Sequence, residues 1–335
     1  AVGLNALANN TTADDNTAVG KSALSANTTG GSGVAVGKGA LLNNTTATGN
    51  TAVGINTAMN NTTGTGNVAI GSHALYTNIT GASNTAVGYN SLNSSNSANN
   101  VAVGISAGFA ITSGAQNTAL GSYALDGTTT SSNNVAVGYS ALGATNTTGG
   151  NTAVGYAALG ATTGGDYNVA LGYNAGTAMT TASGCVAIGS TALDANVSGN
   201  YHIAIGVGAL GAITAATNCV ALGTNALEVS QAGGLTALGH NALKAHTTGS
   251  DCVAVGAFAL DANTSGANNV AVGNNALGAN TTGGSNTAIG TTAGDAITTG
   301  TQNVAVGYQA LGATTTPTGN TAIGMNSLLS NTTGV

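Results

Sequence analysis

An Ala-Val-Gly, Ala-Ile-Gly or Ala-Leu-Gly tripeptide recurs along the whole chain, its glycine falling at Gly3, Gly20, Gly37, Gly54 and onward to Gly324. Of the nineteen intervals between these twenty glycines, seventeen are 17 residues and two are 16 (Gly88 to Gly104, Gly223 to Gly239). Seventeen residues cannot enclose a core, so each unit must bury its apolar side chains against the units before and after it, as solenoids do. The array runs through residues 1–335 without a break at which a domain boundary would fall.

Asn16 to Gly30 typifies the unit. The residue before the glycine is Val, Ile or Leu in all twenty copies, the one before that is always Ala, and the third before it is Thr, Val or Ile in all nineteen complete copies. Side chains alternate across a strand, so Thr17 and Val19 share one face and Ala18 and Gly20 the other. The bulky face is expected to close the chain's own core and the small face to meet a neighbouring backbone. Leu stands four residues after the glycine in sixteen of twenty copies, with Gly108, Gly176, Gly294 and Ala58 as exceptions; it reads as the core anchor of a second short strand. Asn27-Thr28-Thr29-Gly30 has turn chemistry. The fold expected is all-β, a parallel β-solenoid or β-roll of about twenty rungs, each rung strand, turn, short strand, turn. Burial of each Val and Leu, at about 1.5–3 kcal/mol, is its main support. A helix is excluded, because Thr-Ala-Val-Gly leans to β structure and the recurrent glycine would interrupt it.

From Thr17 to Val169 the third residue before the glycine alternates between Thr and Val without error. Either a two-rung ancestor was duplicated, or Thr hydroxyls contact something at every second rung.

Only twelve residues are charged, three of them lysines (Lys21, Lys38, Lys244), against nine acids. Three isolated lysines cannot neutralise a phosphate backbone, so nucleic acid is excluded as a partner. No run approaches the roughly 20 apolar residues that span a bilayer, so the chain is not expected to be membrane-embedded. Three cysteines are too few and too odd in number for a disulfide framework.

The fourth residue before the glycine is Asn in thirteen of nineteen copies and is expected to form a ladder from rung to rung. Its exceptions are Gly33, Leu235, His202, Cys185, Cys219 and Cys252. Cys185, His202 and Cys219 stand on consecutive rungs, which raises a soft-metal site. The two cysteines would be about 9.6 Å apart, too far for a disulfide or a shared ion, so filling of gaps in the ladder is the expectation, with no metal and no cofactor. The acids read as scattered, which argues against a calcium-binding solenoid. The four histidines occupy four repeat positions and no catalytic constellation recurs in register; no enzyme activity is expected.

Asn10, Asn27, Asn44, Asn61 and Asn78 begin Asn-x-Thr sequons at one repeat position, and Asn196, Asn263, Asn280 and Asn331 stand at the equivalent place later. They are glycan acceptors or simply turn formers. Tyr139, Tyr156 and Tyr173 follow the repeat glycine on consecutive rungs, an aromatic stripe suited to a subunit seam or to stacking on sugars. Paired threonines in the turns raise ice binding as a remoter alternative.

The string Asn67-Val68-Ala69-Ile70-Gly71, followed by Ser72-His73-Ala74-Leu75, resembles the head repeats of YadA-like trimeric autotransporter adhesins and similar repeats in phage tail fibres, and the likeness covers every rung. The resemblance implies a left-handed β-roll, a homotrimer, and a fibre or adhesin segment that extends or presents a binding region outside the cell or on a virion, with a host-surface or glycan ligand. The alternative is an extracellular filament whose subunits stack end to end, since both termini stop inside a repeat without a polar cap and bare β edges invite pairing.

Overall fold

A computed structural model describes residues 1–313 and 315–329. Two compact units divide the chain, Ala1–Tyr167 and Asn168–Val335. Each is a parallel β-solenoid of three-residue strands, from β1 (Thr17–Val19) to β9 (Thr152–Val154) in the first and from β10 (Val169–Leu171) to β19 (Thr321–Ile323) in the second. Within each unit consecutive strands pair in parallel with equivalent positions opposed: Thr17 with Val34, Ala18 with Ala35, Val19 with Val36. The two 16-residue intervals keep this register, Thr85 pairing with Val101 and Val220 with Thr236, so the missing residue is absorbed in a turn. Val2 joins Val19 by a single parallel bridge. Among the described residues there is no helix, and so none long and apolar enough to cross a membrane.

The strand faces inward by its alanine. Ala18, Ala35, Ala52 and their equivalents are buried, whereas the flanking Thr or Val and Val, Ile or Leu are half-buried or exposed, Val19 at 40%. This reverses the expectation that the bulky face closes the core. The interior is too narrow for Val on this strand because the leucine column already fills it. A Cβ placed on Gly108 would lie 2.9 Å from Leu92 Cδ2 and 3.7 Å from Ala102 Cβ, so Leu and Ala side chains from different sides of the coil meet across one small gap, packed at the density proteins require.

The second short strand does not form. Leu24, Leu41, Leu75 and Leu92 are fully buried, as expected of core anchors, but stand at φ of 45–54° inside a run of turns. Residues two and four after the glycine are both left-handed, Ser22 at 60° and Leu24 at 50°, so the backbone zigzags. Ser22 N–H donates to Leu4 on the preceding rung (2.8 Å) and Leu24 N–H to Ala40 on the following one (3.0 Å). A left-handed leucine costs about 1–2 kcal/mol, which its burial and its inter-rung hydrogen bond offset. Asn recurs at the other left-handed position (Asn56, Asn90, Asn225) because its short polar side chain tolerates that conformation.

Where the leucine column carries Gly, the residue three places on turns apolar and fully buried: Gly108 with Ile111, Gly176 with Met179, Gly294 with Ile297. The volume lost at one position is restored from the next column. The repeat glycine itself is obligatory: Gly20 has φ 133°, and a Cβ there would lie 2.5 Å from the Gly37 carbonyl oxygen.

Candidate functional site

The asparagine preceding each strand forms the ladder read from the sequence. Asn67 N–H donates to Asn50 Oδ1 (2.8 Å), Asn84 N–H to Asn67 Oδ1 (2.9 Å) and Asn117 N–H to Asn100 Oδ1 (2.9 Å). Each amide also donates from Nδ2 to a turn carbonyl, Asn50 to Gly64 and Asn67 to Gly81. One side chain thus satisfies a buried N–H and a buried C=O that no strand partner reaches.

Of the exceptions, Gly33 and Leu235 have no side chain that could take part, whereas His202 keeps all of this pattern and the three cysteines half of it. His202 accepts the Cys219 N–H at Nδ1 (3.2 Å), and its Nε2 lies 2.7 Å from the Ala216 carbonyl, which fixes the neutral ring with Nε2 as donor. Burial pushes its pKa below the usual histidine range. Cys185, Cys219 and Cys252 are buried and reduced, each donating its thiol to a turn carbonyl (Gly199 at 3.4 Å, Ala232 at 3.3 Å, Gly266 at 3.2 Å), and burial pushes all three thiols up. Both His202 ring nitrogens are committed to backbone, and protonated buried thiols are poor ligands and nucleophiles. Among the described residues no group of three or more His, Cys, Asp or Glu could hold a metal ion.

A second ladder occupies the position of the sequons. Asn27, Asn44, Asn61 and Asn78 lie in the core, each donating from Nδ2 to the asparagine of the preceding rung at 2.8–3.1 Å, down to Asn10. Glycan acceptors must present that nitrogen to solvent, so these four do not serve as such in the folded chain; Asn10 is half-buried, Asn196, Asn263 and Asn280 are buried, and Asn331 lies outside the described residues. The ladder ends at Asn78, whose Oδ1 lacks a partner because the next rung carries Ser95. His246 takes this position in the second unit, buried, with Nδ1 3.3 Å from Ser230 Oγ and Nε2 unpartnered.

The acids are less scattered than they read. Asp126, Asp194, Glu228, Asp261 and Asp295 all stand five residues after the repeat glycine. In each Asp case the next rung carries Gly there, and a Cβ on Gly143 or Gly211 would meet the Asp126 or Asp194 carboxylate at 3.3 or 3.6 Å. Desolvation raises the pKa of all four aspartates. Glu228 instead faces Lys244, at 3.6 Å. Alternate counting of carboxylate and glycine, rung by rung, would have found this column in the sequence.

Outside, the strand presents two columns that carry no charge on any rung from Thr17 and Val19 to Thr321 and Ile323. The Thr and Val alternation lies here, pointing away from the core. Of the tyrosine stripe, Tyr139 and Tyr156 stack with centroids 5.5 Å apart at 8°, and Tyr123 meets Tyr139 edge-on at 5.6 Å; Tyr173 is exposed in the second unit. Tyr139 and Tyr156 lie partly against one another and stay half exposed. The turn threonines form a further column, Thr11 Oγ1 donating to the Thr28 carbonyl, Thr28 to Thr45, and later Thr264 to Thr281 and Thr281 to Thr298. Their hydroxyl protons hold neighbouring rungs together. No protein-family model and no curated protein matches the chain.

Proposed function

We propose that the chain is a structural segment of a fibre or adhesin, its rungs giving length and its outward strand face packed against other copies in a homotrimer, outside the cell or on a virion. The observation that carries this reading is the uncharged face of paired outward positions that the strands of each unit present, Thr17/Val19, Val34/Val36 and onward in the first and Val169/Leu171 and onward in the second. A partner with the same rung spacing matches such a face best, and another copy has it by construction. Trimer stoichiometry and the location follow from the likeness to adhesin head and tail-fibre repeats.

Replacing Val101 and Val103, which are exposed, together by Lys adds charge to this face without touching the core. Sedimentation is expected to shift from trimer to monomer with the circular dichroism unchanged. A parent chain that already sediments as a monomer overturns the proposal.

A further inference from the structure

In the first unit the turn preceding the strand opens into a groove of about 560 Å³. The groove exists because two glycines, Gly149 and Gly150, interrupt columns that carry side chains on the rungs before and after. Asn133 closes one side and Tyr167 the other, two rungs apart, both in the left-handed conformation that turns their side chains outward. The Tyr167 ring leans over the vacant side-chain position of Gly150, whose Cβ, if present, would lie 2.7 Å from its Cδ1, yet the residue stays 73% exposed. Ser132, Thr147 and Asp166 line the remainder. Ser132 Oγ accepts the Ala115 N–H, which leaves its proton to donate, and Thr147 Oγ1 gives its proton to Thr163, which leaves its lone pairs to accept.

We infer that this groove is a saccharide-binding site for a neutral pyranose. An aromatic face beside hydroxyl, amide and carboxylate groups fits a ring with an apolar C–H side and a rim of hydroxyls. Other ligands fit worse. The only charge is the Asp166 carboxylate, and the three lysines of the chain stand elsewhere, so phosphates and nucleic acids find no cation. A peptide strand finds no free edge, because the Gly150 and Tyr167 N–H groups already bond Ser132 and Gly149 carbonyls on the preceding rung. Tyr201 provides an internal contrast. Its ring leans over Gly184 in the same way, but the Asn200 side chain beside it is taken by the Ser183 N–H.

This inference deepens the adhesin reading by naming a ligand class. The test is saturation-transfer NMR on the intact chain with methyl α-mannoside, methyl α-glucoside, methyl β-galactoside and N-acetylglucosamine, with sedimentation of the same sample. Transfer to the ring protons of at least one of these sugars is expected, weakened tenfold or more by Tyr167→Ala and by Asp166→Asn and kept by Tyr201→Ala. No transfer from any of the four, or transfer indifferent to Tyr167→Ala, overturns the site. A multimer without sugar binding would sink the groove alone, whereas a sugar-binding monomer would sink the fibre reading alone.

Discussion

Cys219 donates its backbone N–H to Nδ1 of His202 on the preceding rung, at 3.2 Å, the bond that Asn67 makes to Oδ1 of Asn50 at 2.8 Å. Histidine here is a surrogate for asparagine, one ring nitrogen accepting and the other donating. His202→Asn is therefore expected to leave the urea midpoint unchanged or raise it. His202→Leu orphans the Cys219 N–H and the Ala216 carbonyl and is expected to cost about 2–4 kcal/mol, on the ordinary penalty for two buried unpaired groups. Equal midpoints for the two variants would contradict the surrogate role.

Acid should loosen the second unit first. Burial holds the His246 imidazole at about 4, from an ordinary 6.5. Between those values the unfolded chain binds a proton that the folded chain refuses, so stability is full above pH 6.5, falls as the pH drops and levels below 4. For one such site the loss is at most about 3 kcal/mol, and the lowered pKa of His202 adds in the same direction. The raised pKa values of Asp126, Asp194, Asp261 and Asp295 act oppositely, the folded chain taking up protons first as acid deepens. The decline should thus be cleanest from pH 6.5 to about 5. His246→Asn should flatten it in urea titrations across that range; an unchanged slope would show that burial of His246 is not the cause.

Gly108 and Ile111 exchange volume with each other. Gly108→Leu alone overfills a space where a Cβ already lies 3.1 Å from Ile111 Cδ1, at a cost of about 1–3 kcal/mol. Ile111→Asn alone leaves a void, at about 2–4 kcal/mol. The double variant restores the commoner Leu and Asn unit and should return to within about 1 kcal/mol of the parent. Additive losses in the double-mutant cycle would refute the exchange.

The repeat glycine should tolerate nothing. Gly138 has φ 129° and a Cβ there would meet the Gly155 carbonyl oxygen at 2.5 Å. Gly138→Ala is expected to destabilise by about 3 kcal/mol or more, combining backbone strain with a rung-to-rung clash. A midpoint within error of the parent would mean that the rungs are not stacked at this corner as described.

Much of this was legible in the residues. The period gave the strands and their register, and the asparagine column gave the ladder, because both depend on identity at a fixed spacing. Which strand face turns inward was not legible. Hydrophobicity favours Val19 over Ala18 as a core residue, and only the leucine from across the coil, filling the space in front of Ala, decides otherwise. The second strand was misread for a related reason: Leu24 anchors the core from a left-handed turn, a conformation that propensity assigns to Gly and Asn. The sequons at Asn27 and Asn44 read as exposed turns, and their burial depends on the same narrow coil, whose polar corner needs their amides. The groove at Gly149 and Gly150 was invisible, since it is defined by side chains that a rung lacks.

The central claim is that the outward Thr and Val face is covered by other copies of the chain. Native mass spectrometry of the unmodified protein tests it most directly: three times the 31.4 kDa of the chain is the predicted result, and a single chain stable across the concentrations tested would contradict it.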